Sequence, residues 1–132
     1  MALQYSVAVN NGRLDSVETT IGISAKLRIF TGAAPANAAA VATGTLIVEM
    51  ALASDWMAAA ATGSKLKAGT WSGTATAGGV AGYFRILDST GTTTGLQGTA
   101  GMTGTDMLLD NSNIAINQAV TVTAFTLNAA NT

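Results

Sequence analysis

Lys26-Leu27-Arg28-Ile29-Phe30 alternates polar and apolar side chains, and at this stretch the repeat of the chain changes from helical to two. Side chains of a strand point alternately to opposite faces, so this pattern is that of a half-buried strand. Downstream, Thr45 to Leu52 reads as a second strand, with Leu46, Val48 and Met50 on one face. Ile47 and Leu52 break the alternation, as expected where both faces are partly covered. Further extended runs fall at 65–75, 82–87, 94–100, 106–109 and 119–127, separated by Gly- and Thr-rich turns. In the last of these, Val120, Val122 and Ala124 are expected on one face. Asp88-Ser89-Thr90-Gly91 is turn chemistry between two extended runs, which predicts a hairpin of Tyr83–Leu87 with Thr94–Ala100.

Two stretches interrupt the strands. Thr31 to Asn37 holds the only proline, Pro35, and reads as a loop. Ser54 to Ala61 reads as a short helix: Ser54 or Asp55 supplies a cap, four alanines favour helix, and Gly63 stops it. Many short strands and few helices argue for a mainly β chain. The expected fold is a single-domain antiparallel β-sandwich, jelly-roll-like, with an N-terminal helix and one short internal helix. Residues 1–22 would be a helical arm and 23–132 the β-sandwich domain.

The arm is expected to be helical from Leu3 to Ile21, ended by Gly22 and weakened at Gly12 by about 1 kcal/mol relative to alanine. Val7, Leu14 and Ile21 recur every seven residues, with Leu3, Asn10 and Val17 interleaved. That is a short heptad seam. A helix of this length needs a partner for its apolar stripe. Either it packs on its own domain or it self-associates, with Asn10 setting the register. Leu3, Val7, Leu14, Val17 and Ile21 are the candidate assembly contacts.

Composition narrows the function. The 132 residues carry six basic and seven acidic side chains, a net charge of −1, and neither histidine nor cysteine. Scattered, balanced charge argues against a nucleic-acid binder, which needs a basic face. The longest apolar stretches, Thr45–Ala53 and Trp56–Ala61, fall well short of the roughly 20 residues that span a bilayer. The N-terminus lacks the basic start and apolar run of a signal peptide, so synthesis in the cytoplasm is expected. Low charge with a mean hydropathy of +0.39 fits either a surface covered in an assembly or one solubilised by hydroxyls and amides.

Reactive chemistry is scarce. Zinc and copper sites of the usual kind need His or Cys. Asp106, Asp110, Asn111 and Asn113 offer oxygens for calcium or magnesium, but not with EF-hand spacing, and turn roles are the expected ones. A Ser-His-Asp triad is impossible. Lys65 and Lys67, the candidates for a Ser-Lys pair, are expected to face water. The glycines Gly91, Gly95, Gly98 and Gly101 lack the lysine of a phosphate loop. Trp56 and Trp71 are expected in the core; the alternative is a sugar-stacking platform shared with Tyr83. No cofactor, no metal and no catalysis are expected.

Met1 to Gly22, Leu27 to Pro35, Ser54 to Ala60, Gly82-Tyr83-Phe84-Arg85-Ile86 and Val120 to Leu127 together resemble small structural proteins of tailed bacteriophages and prophages. Among these, the capsid decoration (cement) type is the best fit to the size of the chain. The resemblance implies a virion component made in the bacterial cytoplasm. Its partners would be the major capsid protein or other virion proteins, and it would form a dimer or trimer. A tail- or fibre-associated role and a carbohydrate-binding module are the alternatives.

Overall fold

The structure, a computed structural model, describes residues 3–129. Strand β1 (Lys26–Thr31) pairs antiparallel with β2 (Leu46–Ala51) on one side and β5 (Gly79–Leu87) on the other. β6 (Thr94–Gly101) follows β5 through the Asp88–Gly91 turn, closed by the Gly91 N–H donating to the Asp88 carbonyl. The expected hairpin is present. β6 then makes two parallel residue pairs with β7 (Met107–Leu109), and β7 pairs antiparallel with β9 (Ala119–Asn128). The far edge of β9 carries β3 (Ser64–Leu66) and β4 (Ser72–Thr74), and β8 (Asn113–Ile114) pairs with the start of β5. The single helix among the described residues, α1, spans Val7–Ile21.

These strands form one sheet in the order β2-β1-β5-β6-β7-β9-β3, mixed because β6 and β7 run parallel. The sheet curls, and its ends approach each other. The Thr76 N–H, just past β4, donates to the Ile47 carbonyl of β2, and Gly73 lies against Val48 and Met50. The chain is therefore mainly β with a curled, half-barrel sheet. One hydrogen-bonded path takes the place of the two stacked antiparallel sheets expected of a sandwich or jelly roll.

Inside the curl sits the core. Trp56, Trp71, Phe125 and Phe84 form a chain of ring contacts with centroids 6.0, 5.6 and 5.4 Å apart. Leu27, Ile29, Ile47, Met50, Met57, Ile86, Met107, Val120 and Val122 fill the space around them. Both indole N–H groups are satisfied, Trp56 by the Gly22 carbonyl and Trp71 by the Ala68 carbonyl. Aromatic burial on this scale dominates the stability of a small domain.

The outer face of β1, β5 and β6 is covered by the connection from Gly32 to Thr45. Phe30 and Tyr83 stack there at 4.9 Å, and the Tyr83 hydroxyl donates to the Thr43 carbonyl and accepts from the Thr43 N–H. Gln97 holds the Pro35 carbonyl. Gly82 is the extra residue of a bulge opposite Phe30 and Thr31, and a Cβ there would collide with the Gly32 carbonyl.

Four local expectations are corrected. Ser54–Ala61 is not helical. Met57 bridges Lys67, Ala61 bridges Ser64, and the Ala58 N–H donates to the Leu66 carbonyl. Thr62 (φ 53°) and Gly63 (φ 76°) turn this narrow hairpin. Positive φ at both central residues is the turn that matches strand twist, and it overrides the helical preference of the alanines. The run 65–75 is broken around Gly69 into β3 and β4. On β9 the register shifts opposite Leu108 and Leu109, so Ala124 is exposed and Phe125 takes the inward place. Lys65 does not face water; it is 2% exposed.

Candidate functional site

Helix α1 begins at Val7, later than Leu3, because Ser6 caps it: the Ser6 hydroxyl accepts from the Val9 N–H at 3.2 Å. It ends as expected at Gly22 (φ 98°), whose N–H donates to the Glu18 carbonyl. What the helix turns toward the sheet is polar. The Asn11 side chain accepts from the Gly63 N–H at 3.0 Å, Asp15 from the Ala60 N–H at 2.9 Å and Glu18 from the Met57 N–H at 3.0 Å. Residues 11, 15 and 18 share one helical face, and their partners step by three along the hairpin. The helix thus caps the open edge of a strand with side-chain oxygens, the groups an edge otherwise presents to solvent or to another chain.

Lys65 locks this arrangement. Its Nζ lies 2.6 Å from Asp15 Oδ1 and 3.0 Å from Glu18 Oε1. Burial alone would depress the lysine pKa, but its hydrogen bonds to Asp15 and Glu18 outweigh that and hold it above its ordinary value. The Lys65 hydrogen bond and the Ala60 N–H hold Asp15 below the usual carboxylate range. Glu18 is pushed up by burial, yet Lys65 and the Met57 N–H together bring it below its ordinary value. Asp55 moves the other way, raised by its hydrogen bond to Glu18 and by that neighbour's charge.

Asn10 is fully buried; its Oδ1 accepts from Arg13, and its Nδ2 has no partner in the structure. Of the sequence-derived contacts, Leu14 is buried, Val17 is half-buried, and Ile21 packs against Gly95 and the core. Leu3 and Val7 are exposed, at 73% and 53%. Tyr5 and Val9 are exposed beside them, with Arg13 lying 4.5 Å over the Tyr5 ring. The heptad is therefore split: its rear residues face the protein's own sheet and its front residues face out. Asn11 bonds the tip of the hairpin at Gly63, and of the described residues before it only Asn10 is buried.

The clamp residues Asn11, Asp15, Glu18 and Lys65 did not emerge from the apolar pattern. The i, i+4, i+7 spacing of the first three was the available signal. Lys65 carried none, since its partners lie some 50 residues away in sequence.

Other candidates are assigned elsewhere. Trp56, Trp71 and Tyr83 are buried, so they form no sugar-stacking platform. Asn111 accepts from the Asn113 N–H in a local turn, Asp106 accepts from the Thr99 N–H and hydroxyl across the β6–β7 connection, and Asp110 accepts from the Thr121 N–H of β9. No three His, Cys, Asp or Glu side chains converge as a metal site among the described residues. No helix among them is long and apolar enough to cross a membrane. Comparison of the chain with protein-family models, with curated proteins and with solved structures gave no match.

Proposed function

We propose that this chain is a non-enzymatic structural protein of a bacteriophage virion, of the capsid decoration type, which binds and stabilises a repeating capsid lattice. One observation carries the reading: Leu3 and Tyr5, ahead of α1, and Val7 and Val9, in its first turn, are exposed while Asn10 is fully buried. Stability of the isolated chain gains nothing from exposing these four apolar residues, and we read them as a contact surface. The partner is the major capsid protein or a neighbouring copy of this chain, in dimers or trimers. Each such contact is small, but attachment at many equivalent sites adds up along a lattice. The low charge suits a protein partly covered by its neighbours.

Electron microscopy of virions produced with and without the chain tests this. The expected result is added density at regular positions on the capsid shell, with particles lacking it failing at lower temperature. Density confined to the tail would replace the decoration role with the tail-associated one. Equal particles, with no density for the chain, would dismiss both.

A further inference from the structure

A row of side chains, Glu49, Arg28, Arg85 and Gln97, crosses β2, β1, β5 and β6 in direct register. Two arginines directly opposite each other on neighbouring strands repel. Arg28 is neutralised: its Nε lies 2.6 Å from Glu49 Oε2, a carboxylate it shares with Lys26. Arg85 is not. It is 5% exposed, and its bonds go to neutral acceptors, Nε to Gln97 Oε1 at 3.1 Å and Nη2 to the Ala40 and Asn37 carbonyls at 2.7 and 3.4 Å. Among the described residues no carboxylate pairs with Arg85, and its Nη1 has no protein acceptor. A buried charge left without a counter-charge is costly.

Arg85 lines a cavity of about 410 Å³ between the Ala38–Val41 loop and Thr92–Thr94, and no acidic residue lines it. Asp88, the acid of the adjoining turn, is occupied by the Thr90 hydroxyl and the Thr92 and Thr93 N–H groups. We propose that this cavity binds a small oxyanion, a carboxylate or a phosphate, with one oxygen accepting from Arg85 Nη1 and the rest of the anion held by Thr93 and Thr94, which also line it. Because Nε and Nη2 are already engaged, the contact is end-on through one nitrogen and lacks the two-pronged fork of a free arginine. Such a site takes either a free small anion or the acidic group of a partner. It is independent of the assembly surface on α1.

Titration of the full chain by NMR tests the site, with inorganic phosphate, acetate and chloride at matched ionic strength. The expected result is a saturable shift of the Arg85 Nε–H and the Thr93 and Thr94 amides at millimolar phosphate or acetate. A stronger response to one of the two assigns the preferred anion. Equal, unsaturated shifts with chloride would overturn the proposal. Thr93→Val with Thr94→Val keeps the β-branched shape and the Arg85 bonds, and is expected to weaken binding at least threefold with the remaining spectrum unchanged. Unaltered affinity in that variant, or a saturable shift surviving Arg85→Gln in a chain that remains folded, would also overturn it.

Discussion

Residues 10–21 and residues 3–9 belong to one continuous N-terminal segment, yet they meet the rest of the protein in opposite ways. The rear part is bound through Asn11, Asp15 and Glu18 to the hairpin edge, with Leu14 and Ile21 inward. The front part turns Leu3, Tyr5, Val7 and Val9 outward. The difference teaches that helical spacing alone does not say which side is buried. Contact with the rest of the chain does, and Asn10 is the first residue of the segment that is buried. A helix held by polar groups at its rear leaves its apolar front available for a neighbour.

The strongest way to break this contrast is to remove what the rear part rests on. Trp56→Ala empties the core beneath the hairpin and deletes the bond to the Gly22 carbonyl, and should cost about 4 kcal/mol in urea unfolding. Next comes Lys65→Ala. It leaves Asp15 and Glu18 side by side without their cation, and a loss of about 3 kcal/mol is expected, at the lower end for a broken buried pair because Asp15 keeps contact with water. Hydrogen exchange should then show the Met57, Ala60 and Gly63 amides opening earlier than the β1–β5 ladder.

Acid sharpens the same point. Asp15 and Glu18 titrate below their ordinary values in the folded chain, so their contribution is complete above the unfolded carboxylate range and is lost as pH falls through the folded values. The melting temperature should drop from about pH 4.5 downward, and Asp15→Asn with Glu18→Gln should flatten that slope. Asp55 has the opposite sign, since its raised pKa means that its charge opposes folding at neutral pH. Asp55→Asn should therefore raise the melting temperature slightly at pH 7 and leave it unchanged once the carboxyl is protonated. Leu3→Asp with Val7→Asp should have the smallest effect on the isolated chain, within about 0.5 kcal/mol, because both side chains are exposed.

The periodicity that identified β1, the β5–β6 hairpin and most of β9 is a local property, so it could be read along the chain. The failures were of three kinds. The alanines 58–61 favour a helix in isolation, but their backbone is claimed by the 64–68 segment and by the carboxylates of α1, which only the folded chain brings there. A one-residue bulge at Thr123 reverses the face of everything after it, and nothing in the alternation announced it. Lys65 looks like any strand lysine until Asp15 and Glu18 arrive from 50 residues earlier. The heptad at Val7, Leu14 and Ile21 was visible, but not that it would be divided between the protein and its surroundings.

The most direct measurement is incorporation of the Leu3→Asp, Val7→Asp chain into virions, compared with the unaltered chain at equal expression and with folding checked by circular dichroism. Outward exposure of Leu3, ahead of α1, and of Val7, in its first turn, predicts that the altered chain folds normally and is missing from purified particles. Incorporation at the level of the unaltered chain would contradict the assignment of this surface to assembly.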